Sequence, residues 1–275
     1  MYDHVLVPTD GSDGSAVAAA HGVALAERFD ATLHAVSVVD PAVFVTDAVG
    51  DVDDLVQQQR EAYRKRAERA VSRVADAATG RDVRTAVREG TPHEELLAYA
   101  AAESIDLVVM GTHGRSGVDR YLLGSVAEKL IRTAHVPVVT VRGDGGVPGV
   151  TDYGDVLVPT DGSETATRAT DHAIAVATAF DATVHVLHAA GGESGGDAAT
   201  EAVAERVREV GLDVATRVCP GTPHEVVREY VETNDVDLVA MGTHGRTGLD
   251  RMLLGSVAAN TIRTVDVPVL AVGPE

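Results

Sequence analysis

The sequence predicts an α/β protein made of two tandem, open, five-stranded parallel sheets with helices on both faces, and three observations carry that prediction. Nearly every distinctive segment occurs twice. Short β-branched runs alternate with Ala-rich segments of helical spacing. The interior must also be packed almost without aromatics, which make up 3% of a chain that is 45% hydrophobic; that favours Val-rich strands covered by Ala-rich helices.

The repeat comes first because it sets the units. HVLVPTDGS at 4–12 returns as DVLVPTDGS at 155–163, and DATLHAV at 30–36 returns as DATVHVL at 181–187, both displaced by 151 residues. GTPHE at 90–94 returns at 221–225, and GTHGRSGVDRYLLGSVA at 111–127 returns as GTHGRTGLDRMLLGSVA at 242–258, displaced by 131. The second copy is therefore twenty residues shorter between its second strand and GTPHE. Between the copies, GDGGVPGVTDYG at 143–154 has the Gly and Pro content of a linker, which sets the domains at 1–142 and 155–275.

Within copy one, Val5–Val7, Thr32–Val38, Val83–Val87, Leu107–Met110 and Val136–Val141 read as strands, and Ser15–Arg28, Gln57–Ala78, His93–Glu103 and Val126–Thr133 as helices. Strand and helix in alternation imply a doubly wound parallel sheet with right-handed crossovers. The unbroken apolar runs LVVM and LVAM suit central strands covered on both faces. Ligands in such sheets bind beyond the carboxyl ends of the strands, where the strand order reverses. The default site therefore lies between PTDGS, after the first strand, and GTHGR, after the fourth.

Bulk properties narrow the function. A chain of 275 residues can bury two domain cores. The formal charge of -19 argues against a nucleic-acid or anionic-membrane partner, because neutralising phosphates takes clustered Lys and Arg. Only Lys65 and Lys129 are lysines, and Asp and Glu total 42, which resembles the acidic, lysine-poor surfaces of proteins from salt-loving archaea; high salt would screen the self-repulsion. Cys219, the sole cysteine, precludes an intrachain disulfide and reads as a buried inert thiol. The start MYDHVLVPTDGS has no basic leader, and no run of about 18 apolar residues follows, so a cytoplasmic protein with no membrane partner is expected.

The chemistry lies in the glycines. Gly111 and Gly114 are followed after nine residues by Gly124 and Ser125, and Gly242, Gly245, Gly255 and Ser256 keep the same spacing. Glycine lets backbone amides approach an anion without an intervening Cβ. Each closing Gly-Ser precedes a helix expected to begin near Val126 or Val257, whose free amides and positive dipole end attract phosphate. Arg115 and Arg120, matched by Arg246 and Arg251, suit phosphate oxygens. A ligand-free reading also exists: Gly111 ends a strand, Gly124 turns into a helix, and Ser125 with Glu128 has capping-box spacing. Copy two weakens it, because Ala259 replaces the glutamate while Ser256 stays. No Gly-Lys-Ser/Thr or GxGxxG pattern occurs, so the loop is neither a P-loop nor a dinucleotide fingerprint.

With LVPTDGS, GTPHE and the GTHGR-to-GS loop in view, the chain resembles the universal stress protein family, in its ATP-binding branch, over nearly the whole of both copies. The resemblance implies an open five-stranded, Rossmann-like fold of the adenine nucleotide alpha hydrolase type, with ATP in each domain and pairing through the last strand. It places Pro8, Thr9 and Asp10 beside adenine and ribose, with Asp10 accepting from ribose hydroxyls, and packs Val38 on the base. Met110, Gly111, Thr112, His113, Gly114, Arg115, Ser116 and Gly117 would wrap the phosphates together with Gly124, Ser125, Val126 and Ala127. The matching set in copy two is Pro159, Thr160, Asp161, Ala189, Met241, Gly242, Thr243, His244, Gly245, Arg246, Thr247, Gly248, Gly255, Ser256, Val257 and Ala258.

Each position has an alternative role. Asp10 could share a helix cap with Ser12. His113 and His244 have no companions at metal-ligand spacing and read as hydrogen-bond donors; magnesium would arrive with the ATP phosphates. Because Ala189 stands where copy one has Val38, and the covering segment is shorter, site two is expected to bind ATP more weakly. The segments 136–141 and 267–272 correspond to the family's pairing strands, and a Pro-led apolar edge seeks a partner, so the copies are expected to pair with each other. Pairing between chains, a homodimer, stays open, as does burial of each strand within its own domain.

The leading functional expectation is a nucleotide-dependent stress-response protein with no catalytic residue. One rival is an enzyme, a weak ATPase or a nucleotidyltransferase, although the loop offers only His113 and its mate as a base and no HxGH or KMSKS occurs. The other is a nucleotide-free interaction module, against which the two intact loops stand.

Overall fold

The computed structural model describes residues 1–44, 53–112, 123–143, 151–190, 196–245 and 253–274. Copy one runs β1 (His4–Pro8), α1 (Asp13–Phe29), β2 (Thr32–Val39), a 3-10 turn (Pro41–Phe44), α2 (Asp53–Ala77), β3 (Val83–Glu89), α3 (Pro92–Ala102), β4 (Leu107–Gly111), α4 (Ser125–Thr133) and β5 (Val138–Val141). Copy two runs β6 (Asp155–Pro159), α5 (Glu164–Phe180), β7 (Thr183–Ala190), α6 (Gly196–Glu209), β8 (Val214–Pro220), α7 (Pro223–Thr233), β9 (Leu238–Gly242), α8 (Ser256–Thr264) and β10 (Val269–Val272). The strands and helices expected from pattern are all present. The last strand starts at Val138 instead of Val136, because Pro137 has no amide to give to the ladder.

The described strands form one ten-stranded sheet in the order β3-β2-β1-β4-β5-β10-β9-β6-β7-β8. Within each copy the pairing is parallel and the order reverses between the first and fourth strands. The register is the same in both copies: Val5 pairs with Leu33 and Leu107, and Val156 pairs with Val184 and Leu238. Only β5 and β10 pair antiparallel, with Val139 facing its own equivalent Leu270 and Val138 and Thr140 facing Ala271 and Val269. That reciprocal pattern is an internal two-fold axis, the isologous interface of a dimer written into one chain. The outer strands of the sheet are β3 and β8.

Alternation along each strand divides the interior into two layers. Val5, Val7, Leu107 and Val109 face α1 and α2, and Leu6, Val108 and Met110 face α3 and α4. Both layers continue through β5 and β10 into copy two, where Leu270 and Val272 join the first and Val269 and Ala271 the second. Two separate cores were expected, but the cross-pairing merges them.

A second reciprocal contact seals this junction. Tyr2 Oη lies 2.7 Å from His172 Nδ1, and Tyr153 Oη lies 2.8 Å from His21 Nδ1. Tyr2 and Tyr153 are 1% and 0% exposed, and they stack edge-on or tilted against Phe29 and Phe180. Burial raises both phenols and holds His21 down to about 4, with His172 also lowered by burial and then by Arg168. Each contact is thus a neutral phenol bonded to a neutral imidazole, the arrangement that burial favours.

Candidate functional site

Each half of the sheet opens into a cavity where its strand order reverses. Cavity one, about 260 Å³, is floored by Pro8, Thr9 and Asp10 at the end of β1, Val38 at the end of β2, and Met110, Gly111 and Thr112 at the end of β4. Gly124, Ser125, Val126 and Ala127 at the start of α4 form one wall. Cavity two, about 520 Å³, repeats this with Pro159, Thr160, Asp161, Ala189, Met241, Gly242, Thr243, His244, Gly245, Gly255, Ser256, Val257 and Ala258. Every described residue that the sequence suggested lines one of the two cavities. His113, Gly114, Arg115, Ser116 and Gly117, and Arg246, Thr247 and Gly248, lie outside the described residues, as do Arg120 and Arg251.

The wall helices begin in an unusual way. α4 starts at Ser125 and α8 at Ser256, one residue earlier than pattern suggested, so the N-cap residues are Gly124 and Gly255, which carry no capping side chain. This overturns the capping-box alternative, since Ser125 is already inside the helix. The first intrahelical bonds are donated by Glu128 to Gly124 O and by Ala259 to Gly255 O, both at 2.9 Å. The amides of Ser125, Val126 and Ala127, and of Ser256, Val257 and Ala258, therefore have no acceptor within their helices. Three amides and a positive dipole end face each cavity.

The glycines also answer to packing. A Cβ on Gly255 would stand 2.7 Å from the Thr243 carbonyl, and one on Gly242 would stand 2.5 Å from Thr165 Oγ1 and 2.8 Å from its carbonyl carbon. Close approach of backbone therefore requires glycine at both positions, whatever occupies the cavity.

Asp10 is not itself the cap of α1. Ser12 is, accepting from Ser15 N, and Asp10 Oδ1 accepts from Ser12 N at 3.0 Å and from Ser12 Oγ at 2.6 Å. Asp161 Oδ1 likewise accepts from Ser163 N at 2.9 Å. Gly11 and Gly162, at φ 75° and 76°, turn the chain so that these carboxylates stay at the cavity floor. In copy two His244 Nδ1 lies 2.8 Å from Thr243 Oγ1, while its Nε2 is buried with no hydrogen-bond partner among the described residues. An unsatisfied buried nitrogen is costly, and a ligand acceptor would relieve it.

The cavities differ overhead. Tyr63, Arg66 and Ala67 of α2 and Val43 of the 3-10 turn line cavity one. α6 is 14 residues against the 25 of α2, and none of its residues is among those lining cavity two. There His188 occupies the position of Ser37, bonds the Thr160 carbonyl at 2.8 Å through Nδ1, and leaves room for α6 only because Gly196 has no Cβ.

A family model described as the universal stress protein family matches residues 1–142 and again 152–273. The chain belongs to the universal stress protein family, as a tandem member. A universal stress protein of Methanocaldococcus jannaschii is 38% identical over 142 residues, which is 52% of this chain and 83% of that one. One of Mycolicibacterium smegmatis is 29% identical and spans 98% of this chain and 97% of its own. Among solved structures, a universal stress protein from Archaeoglobus fulgidus superposes with TM-score 0.78 over 99% of both chains at 24% identity, which shows the shared tandem fold.

Sequence reasoning missed three groups of residues in this universal stress protein and misread one cysteine. Pro92 and Leu96, with Pro223 and Val227, line the cavities and give the repeated GTPHE a place, since each Pro opens α3 or α7. Tyr2 with His172 and Tyr153 with His21 were findable, because both types recur at the displacement of 151. Tyr63 and Arg66 had no repeat to reveal them. Cys219, read as buried, is half-buried on the outer strand β8. Among the described residues no helix is long and apolar enough to cross a membrane.

Proposed function

We propose that both cavities hold an adenine nucleotide, ATP accompanied by magnesium, and that the bound nucleotide sets the state of the domain pair that other proteins read in a stress response. The observation that carries this is the side-chain-free N-cap facing each cavity, which leaves three helix amides opposite the Asp10 or Asp161 carboxylate. A group negative at one end and hydroxyl-bearing at the other fits that polarity. The Ser125–Ala127 and Ser256–Ala258 amides would hold phosphate, Asp10 and Asp161 would accept from ribose hydroxyls, and Val38 or Ala189 would contact the base. When Thr243 donates to His244 Nδ1, the proton on Nε2 is available to a phosphate oxygen. Magnesium would supply charge neutralisation between phosphate oxygens. Arg115 and Arg246, with the glycine loops, complete the reading from sequence.

The acidic composition supports an intracellular setting of high salt, as in a halophilic archaeon, so the test is run in molar KCl. Calorimetric titration of the full chain with ATP and magnesium should give two sites. Ser125→Glu and Ser256→Glu, which place a carboxylate where phosphate would sit while suiting a helix start, should each remove one site, with at least a roughly tenfold loss of affinity there. Two sites surviving in the double variant, or none in the parent chain, would overturn the proposal.

A further inference from the structure

The two phosphate-facing helices are anchored differently. Arg142 follows β5 of copy one directly, and its side chain is only 9% exposed. It crosses the internal two-fold axis and donates from Nη1 to the Arg263 carbonyl at 3.0 Å and the Val265 carbonyl at 3.4 Å, at the end of α8 in copy two. Asp266 Oδ1, 89% exposed, lies 3.3 Å from the same nitrogen. By symmetry the position that should reach the end of α4 is Gly273. A Cβ there would stand 4.0 Å from the Ala134 carbonyl, so the site of the missing brace is occupied by glycine.

α8 has nine residues, too few to persist alone in water, so outside contacts fix its position. A guanidinium at its C-terminal carbonyls satisfies orphan acceptors and complements the negative dipole end. At its other end, Ser256, Val257 and Ala258 face cavity two. The preceding residue, Val141, holds Thr112 of cavity one by accepting from its amide at 2.9 Å. Contact therefore runs from the floor of cavity one, through Arg142, to the helix of cavity two, whereas among the described residues Gly273, whose carbonyl accepts from Arg168 of its own copy, has no side chain to make the return contact.

We propose that Arg142 is a positioning residue by which copy one braces the anion-binding helix of copy two, so that site two alone depends on the domain junction for its affinity. This rests on the reading that α8 amides receive phosphate. By linkage, a nucleotide in site two strengthens the junction and one in site one does so less.

The test uses the full chain in two backgrounds, Ser125→Glu to report site two and Ser256→Glu to report site one, titrated with ATP and magnesium. Arg142→Gln should weaken site two about three- to tenfold and leave site one within about twofold, and Arg142→Lys should recover part of the loss. An equal loss at both sites would mean a general structural role and would overturn the proposal, as would an unchanged site two. A parent chain with no nucleotide binding would sink the proposed function and this inference together. A parent with two working sites and an insensitive site two would sink only this one.

Discussion

Cavity one, about 260 Å³ beneath Tyr63 and Arg66, and cavity two, about 520 Å³ with no described α6 residue over it, stand on floors of identical register. What separates them is the twenty-residue difference after the second strand and two side chains at the end of that strand, His188 for Ser37 and Ala189 for Val38, with the strand pairing unchanged. The floor is under a constraint the cover escapes: shifting a strand by one residue would exchange the two core layers, whereas a helix lying on the surface can be lengthened without disturbing the layers beneath. The two copies therefore share the part whose backbone amides face the cavity and differ in the part that lies over it.

The largest effect should come from breaking what the copies share. Tyr2→Ala and Tyr153→Ala each empty a fully buried position at the junction and should each cost about 3–5 kcal/mol in urea melts. Because both core layers run through β5 and β10, either change should lower the midpoint of the whole chain in a single transition. A variant in which one half melts early while the other keeps its midpoint would show that the copies fold independently.

A smaller effect should come from making the cavities alike. Arg66→Gln combined with Tyr63→Ala strips the cover from cavity one. In the Ser256→Glu background, ATP affinity should fall about five- to tenfold, toward that of cavity two, with site two untouched in the Ser125→Glu background. Unchanged affinity would mean that the floor alone sets binding.

The smallest concerns a polar chain that differs by one residue. In copy one His34 lies between His4 Nδ1 at 3.1 Å and Tyr99 Oη at 2.9 Å; in copy two His185 lies between Asp155 Oδ1 at 2.7 Å and Tyr230 Oη at 2.9 Å. Burial first, then His4 and Arg84, hold His34 down to about 4. A histidine kept neutral by folding takes a proton near 6.5 once unfolded, so its contribution is full above that pH and is lost as pH falls toward 4. His21 and His172 act in the same direction. His4→Asp gives copy one the carboxylate of copy two, favours protonated His34, and should flatten the acid limb of stability by about 1 kcal/mol or less; a steeper limb would contradict it.

Much of this molecule is legible without coordinates. The parallel strands could be read because unbroken apolar runs such as Val5–Val7 bury both faces, and the cavity floors because the repeat marked Asp10, Gly111 and Ser125 twice. Helix starts were off by one at Ser125 and Ser256, since serine there looks like a cap while the glycine before it takes that place. Tyr63 and Arg66 were invisible because their segment occurs once and reads as a solvated helix face.

The sequence by itself determined the α/β alternation, the two-fold repeat and the residues that floor each cavity, all of which follow from local periodicity and from spacing that duplication preserved. Tertiary structure alone decided three things: that the two cores merge, which tyrosine meets which histidine across the junction, and that Arg142 reaches α8 while Gly273, with no side chain, sends nothing to α4. Each depends on which surfaces meet once β5 lies antiparallel to β10, and residues more than a hundred positions apart carry no local pattern that announces their meeting.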